Sequence, residues 1–178
     1  MPNCSPAALF AAFTIVACGD DPIAPPTDPR DIAYAAELDV DLDRMTRTAS
    51  GLYYEDIGVG TGTEARLGTR ATVLYAGWLP DGTLFDSRTS AANPFAFTIG
   101  IGQVIPGWDE GVNGMRAGGV RKLVIPPQLG YGNQAKGLIP GNSVLVYEIE
   151  LLSVGSTLSP RDADGPAGPR HTIPALLR

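Results

Sequence analysis

Between about residues 51 and 154 the apolar residues come in short runs, each closed by Gly, Pro or an Asp-Gly pair. That cadence leaves room for short strands and tight turns, but not for a helical bundle. The clearest run is Val144–Leu152, where Leu145, Tyr147, Ile149 and Leu151 fall on one face and Glu148 and Glu150 on the other. Such alternation predicts a strand of an antiparallel sheet that is wet on one side. Leu52–Ile57, Ala71–Leu79, Leu84–Ser87, Phe95–Ile99 and Val120–Ile125 are the other strand candidates, and Pro80-Asp81-Gly82-Thr83 is a hairpin signal between two of them. One helix is predicted, Pro106–Gly114, with Pro106 at its first position, Asp109 and Glu110 in its first turn and Gly114 at its end. About five antiparallel strands and one short helix make an α+β domain.

Composition fits one such domain with appendages. The 178 residues are 44% apolar and 18% charged, and 22 Gly and 16 Pro supply the turns. The net charge of −6 gathers in residues 18–50, which hold eight acids and three bases, while 51–154 holds nine acids and seven bases. A nearly neutral domain without a basic stripe lacks the footprint of nucleic-acid binding. Both cysteines, Cys4 and Cys18, precede the domain, and the single histidine, His171, follows it. The domain therefore offers no disulfide framework, no Cys/His zinc site and no Ser/His or Cys/His catalytic pair. Gly58-x-Gly60-x-Gly62 and Gly100-x-Gly102 match neither a dinucleotide fingerprint nor a phosphate loop, and are read as turns.

The ends follow a different logic. Ala7–Ala17 is an apolar run of eleven residues, too short to span a bilayer and of the right length for a signal peptide. It leads into Ile15-Val16-Ala17-Cys18, which resembles a bacterial lipobox. The expectation is a signal peptide over 1–17, lipidation at Cys18, and an exported protein held in the cell envelope by its lipid. The n-region lacks Lys and Arg, so the signal is weak or the start is misassigned. Residues 18–50 are read as an acidic tether with Pro22, Pro25, Pro26 and Pro29, and 31–45 as a possible short helix within it. Residues 155–178, rich in Gly and Pro, are read as a disordered tail.

Within 51–154, six segments occur in order: Tyr75-Ala76-Gly77-Trp78, Asp81-Gly82-Thr83-Leu84-Phe85-Asp86-Ser87, Pro94-Phe95-Ala96-Phe97, Val104-Ile105-Pro106-Gly107-Trp108-Asp109-Glu110-Gly111, Tyr131-Gly132 and Leu145-Val146-Tyr147-Glu148-Ile149-Glu150-Leu151-Leu152. In sequence and spacing they resemble the FKBP-type peptidyl-prolyl isomerases. The resemblance implies a half-open antiparallel sheet wrapped around one short helix. It also implies a proline pocket of Tyr75, Phe85, Asp86, Ile105, Trp108 and Tyr131, with Phe95, Val104, Leu138, Ile139 and Tyr147 as further binding residues and Trp108 as the floor. By the same resemblance the Ile105 N–H and the Tyr131 hydroxyl bind substrate carbonyls, and Asp86 meets the displaced carbonyl or orients Tyr75. Partners would be proline-containing polypeptides and FK506-like macrolides, with no cofactor and no metal. Three departures stand out: Tyr147 where phenylalanine is common, Ala91 where an arginine often partners the aspartate, and a short loop from Asn133 to Gly137. Asp86 is expected to be the buried carboxylate of the pocket and so to need a partner; Arg88, two residues beyond it, is the candidate to replace that arginine, with Tyr75 as the other partner.

These residue types suit rotation about a prolyl bond. The planar amide resists twisting with a barrier of about 18–20 kcal/mol, and rotation needs no nucleophile. A dry aromatic pocket favours the twisted amide, which has lost its resonance dipole. A module on the same fold that clamps proline peptides or holds unfolded chains without catalysis is the alternative. The segment before the domain looks too short for a long helical dimerisation arm, so a monomer is expected.

Overall fold

The computed structural model describes residues 27–155. The expected signal peptide, Cys18 and the expected tail from 156 onward lie outside the described residues. The predicted strand runs become β2 Tyr53–Gly58, β3 Arg70–Trp78, β4 Leu84–Arg88, β5 Phe95–Thr98, β6 Gly119–Ile125 and β7 Leu145–Gly155. A two-residue strand, β1 Thr46–Arg47, pairs with the start of β2. All pairings are antiparallel, in the order β1-β2-β6-β7-β3-β4, with β5 also on β3. Register is set along β7, where Tyr147 sits opposite Gly77 on one neighbour and Leu123 on the other. The Leu79–Thr83 hairpin closes as the sequence suggests, with Gly82 at φ 89 supplying the left-handed backbone.

The inner face of the sheet buries Val73, Leu123, Ile125, Leu145, Ile149 and Leu151 completely, and α1, Pro106–Val112, the single α-helix among the described residues, packs against it. Two glycines let the helix lie close. A Cβ at Gly107 would come 2.6 Å from Ile125 Cγ2, and one at Gly111 2.6 Å from Leu123 Cδ1. The helix ends at Val112 rather than Gly114 because Asn113 is extended. Its last carbonyls are met from the sheet: Arg121 Nη1 donates to Gly111 O at 2.9 Å, while Nε and Nη2 hold Asp56 at 2.7 and 3.0 Å. A buried guanidinium with this many acceptors is well compensated.

The outer face departs from the sequence expectation. Glu148 and Glu150 are exposed there as predicted, but Tyr53, Val124, Val144 and Val146 on that side are buried under Leu38 and Met45. Residues 29–45 form a strap, not a free tether, and no α-helix forms in 31–45. Two 3-10 turns, Pro29–Asp31 and Ala36–Leu38, carry it across the sheet. Its backbone polar groups find partners in the sheet and in the β3–β4 turn: the Ala35 N–H donates to Pro80 O of that turn at 2.8 Å, and Lys122 Nζ of β6 donates to the carbonyls of Leu38 and Asp39 at 2.7 and 2.9 Å. Arg30 Nε adds a bond of 2.8 Å to the Tyr53 hydroxyl. The acids that suggested a solvated tether, Asp39, Asp41 and Asp43, project from turns whose apolar neighbours face the sheet. The packed body thus begins near residue 28 rather than at 51.

Candidate active site

Trp108, on the first turn of α1, is only 3% exposed and is walled by four rings. Tyr75 of β3 stands at 4.9 Å between centroids, Tyr147 of β7 at 5.2 Å, Phe97 of β5 at 5.7 Å and Phe95 of β5 at 6.0 Å. Tyr75, Tyr147 and Phe95 meet the indole edge to face, the arrangement that ring quadrupoles favour by roughly 0.5–1.5 kcal/mol per pair. Among the described residues the Trp108 indole N–H is the only fully buried side-chain polar atom without a hydrogen-bond partner. Ring packing alone therefore sets the angle of this floor. Phe85 of β4 extends the wall through an edge contact with Tyr147 at 5.5 Å.

Val104 and Ile105 are buried at the entrance to the helix, and Ile105 is its extended N-cap. The loop that delivers them is pinned by Asp109, whose carboxylate accepts the Gly100 and Gly102 N–H groups at 2.8 and 3.2 Å. The sequence marks Asp109 only as a first-turn acid. Its role as a loop clamp needed the fold. Phe97 was likewise absent from the expected pocket, yet it stacks on Phe95 at 5.8 Å and supports Trp108 from behind. The signal for it was present in the Phe95-Ala96-Phe97 alternation.

The polar rim is clear as well. Tyr75 donates its hydroxyl proton to Asp86 Oδ2 at 2.8 Å across the β3–β4 pair. Asp86 is exposed, which removes the expectation of a buried carboxylate in need of a cation. Arg88 lies opposite Tyr75 in register, with Nη1 3.3 Å from Asn93 Oδ1 and Cζ 6.0 Å from the Phe95 ring centre. No ion pair joins Arg88 to Asp86 among the described residues, so Tyr75 rather than Arg88 is the aspartate's direct partner. Ile139 is buried in the flanking loop, whereas Leu138 beside it is 65% exposed. Tyr131 is half-buried, with Lys136 Nζ 5.7 Å above its ring.

Burial raises the pKa of all three rim phenols. For Tyr75 the bond to Asp86 adds to the rise, for Tyr131 the facing Tyr147 hydroxyl offsets part of it, and Tyr147, the most enclosed, is pushed well above the ordinary value. Each phenol therefore keeps its proton through the neutral range. Among the described residues no group of three His, Cys, Asp or Glu side chains could hold a metal ion, and no helix is long and apolar enough to cross a membrane.

Comparison with known proteins follows the same geometry. Residues 62–152 match the family model described as FKBP-type peptidyl-prolyl cis-trans isomerase. An FK506-binding protein of Neisseria meningitidis is 51% identical over 105 residues, covering 58% of this chain and 96% of its own length. Among solved structures, AtFKBP13 superposes with a TM-score of 0.58 at 40% identity, covering 61% of this chain and 97% of that one. A peptidyl-prolyl cis-trans isomerase from Pseudomonas syringae pv. tomato gives a TM-score of 0.58 at 34% identity, covering 68% of this chain and 87% of that one. With its sheet, its single helix and its ordered motifs all in agreement, the chain belongs to the FKBP-type peptidyl-prolyl cis-trans isomerases and is an enzyme of that class.

Proposed function

We propose that the chain accelerates X-Pro rotation in exported proteins by taking the proline into the ring cluster around Trp108. The observation behind this reading is that cluster itself: a dry floor, aromatic walls, and the Asp86 carboxylate and the Tyr75 hydroxyl at the rim. The proline ring packs on the indole between Tyr75, Phe95 and Tyr147. The Ile105 N–H and the Tyr131 hydroxyl take the flanking carbonyls, which fixes one side of the bond while the other turns. Tyr75 and Asp86 border the carbonyl that swings out of plane. Water is excluded, so the planar amide loses solvation that its dipole would otherwise enjoy, and the twisted form loses less. A thousandfold acceleration asks for only about 4 kcal/mol of such differential stabilisation.

Leu138 and Ile139 border the position before the proline and favour a bulky apolar residue there, because a charged one would be desolvated without a partner. Exchange rates measured by NMR on Leu-Pro, Phe-Pro and Glu-Pro peptides test this. The first two should exchange faster, and equal acceleration of all three would remove the apolar subsite. The same site is proposed to accept FK506-like macrolides.

We further propose that Cys18 is lipidated, that the lipid is the sole membrane attachment in the cell envelope, and that the enzyme is monomeric. The lipobox-like Ile15-Val16-Ala17-Cys18 and the apolar run before it support the anchor. Cys18→Ser should release the protein from membranes. A mature protein whose mass shows an unmodified Cys18 would remove the idea.

A further inference from the structure

Ile105 is 3% exposed, and among the described residues its N–H meets no acceptor. A backbone donor left open on so enclosed a residue is costly unless a ligand meets it, and it serves a ligand only if the chain on both sides holds its direction. On the helix side that is done by the backbone: the Ile105 carbonyl accepts the Trp108 and Asp109 N–H groups at 2.9 and 3.3 Å. The other side is the loop Gly100–Val104, where Gly100 and Gly102 hold φ of 81 and 71. Two left-handed glycines give a loop little stiffness of its own. Side chains supply it instead. Gln103 Oε1 ties the loop to β5 by accepting the Thr98 N–H at 2.7 Å, and the Asp109 carboxylate ties it to α1, with Oδ1 accepting from Gly100 at 2.8 Å and Oδ2 from Gly102 at 3.2 Å. Only the Asp109 link joins the loop to the helix that carries Trp108, one residue before it.

We infer that Asp109 is a positioning residue that sets the Ile105 N–H relative to the Trp108 floor, and through it the affinity for the substrate carbonyl. The inference rests on the reading of that N–H as a carbonyl donor. Each carboxylate oxygen holds a different loop N–H, so the loop cannot slide along the helix without breaking a charge-assisted bond. The clamp thereby fixes the spacing between the surface that takes the proline ring and the donor that takes the carbonyl beside it. That carbonyl lies on the side of the bond that does not turn, so the donor meets the planar and the twisted amide alike. Loss of such uniform binding raises KM and leaves kcat where it stands.

The experiment uses the full chain and reads kcat and KM separately for a Leu-Pro peptide by exchange NMR, with urea unfolding run in parallel. Asp109→Ala should raise KM about three- to tenfold with kcat within about twofold, the range expected when one hydrogen bond to the substrate is weakened. Asp109→Asn keeps the shape but offers one acceptor oxygen in place of two, so KM should rise in the same direction by less. It carries the test if Asp109→Ala does not fold. Leu38→Ala, which loosens the outer face instead, is the control for stability alone and should leave KM within about twofold. A purely structural role for Asp109 would lower the urea midpoint and leave KM unchanged, as in that control. That result, or a loss confined to kcat, would overturn the inference and leave the function of the pocket standing. The donor reading is checked apart from it. Ile105 holds φ −60, the angle a proline ring imposes, so Ile105→Pro removes the N–H while Ile105→Ala keeps it. KM should rise further in Ile105→Pro than in Ile105→Ala, and equal values would overturn the donor reading and the inference together.

Discussion

The two faces of the sheet are built on opposite plans. The inner face is closed by a helix and five rings, and its polar atoms, Asp86 and the Tyr75 and Tyr131 hydroxyls, lie at the rim of that closure. The outer face is closed by the 29–45 strap, whose polar bonds run inward to the sheet through Lys122, Arg30 and the Ala35 N–H. On one face hydrogen-bonding groups are left to meet a ligand, and on the other they are used up in holding the chain to itself. The contrast teaches that activity and stability here are separable by face. It also gives a physical reason why a strap of low helix propensity persists: its carbonyls are met by a buried amine rather than by a helix of its own.

The largest expected departure from that division is on the strap. Leu38→Ala empties a buried position on the outer face and should cost about 2–3 kcal/mol in urea unfolding. Below the transition kcat/KM for a Leu-Pro peptide should stay within about twofold, since no ring moves. A tenfold fall in kcat/KM would mean that the strap holds the β3–β4 hairpin, and with it Phe85 and Asp86, in place.

Lys122→Met comes next. It leaves the Leu38 and Asp39 carbonyls without their donor, and stability should fall by about 1–3 kcal/mol, again with activity retained. An unchanged urea midpoint would show that solvent replaces the amine at no cost.

On the inner rim the order reverses. Asp86→Ala should lower kcat/KM several-fold, and because the carboxylate is exposed, stability should move by less than about 0.5 kcal/mol. Arg88→Ala should do less. Its guanidinium reaches Asp86 only through Tyr75 and the Phe95 wall, so its coupling with Asp86→Ala should be at the low end, about 0.5 kcal/mol. A coupling near 3 kcal/mol would restore a direct arginine–aspartate pair.

The smallest effect is that of pH. Tyr34, Tyr75, Tyr131 and Tyr147 all have raised folded-state values, chiefly through burial. A raised value favours the protonated form in the fold, so their contribution is complete below the unfolded phenol value near 10 and is lost as pH climbs through the folded values. Urea midpoints and exchange rates should therefore not respond to these phenols between about pH 6 and 9, with stability falling only above about pH 10. A loss of stability centred near pH 8 would contradict this assignment, because folded and unfolded phenols alike keep their protons there.

Much of the inner face was legible in the sequence, because burial on one side of a strand writes itself as period-two alternation and the turn residues bound each run. Val144–Leu152 matched the start of β7 to within one residue and fell three short of its end, and the helix starts at Pro106 as expected. Asp86 was misjudged as buried because motif order says which residues share a site, not how deep each lies. The outer face was harder to read. Leu38, Val40 and Leu42 alternate with Asp39, Asp41 and Asp43, but the run is short and rich in acids, and only the Leu38 and Asp39 carbonyls that accept from Lys122 reveal why it packs. A lysine on a strand reads as solvent-facing, and nothing local marks it as a clip for a segment more than eighty residues away.

The most direct test of the central division is the exchange rate of a Leu-Pro peptide, measured by NMR with the intact protein and with its Trp108→Leu and Leu38→Ala variants at a temperature where all three are folded. The intact protein and Leu38→Ala should accelerate exchange alike, while Trp108→Leu should fall toward the uncatalysed rate, which corresponds to tens to hundreds of seconds per event. Full acceleration by Trp108→Leu, or its loss in folded Leu38→Ala, would contradict the assignment of catalysis to the inner face.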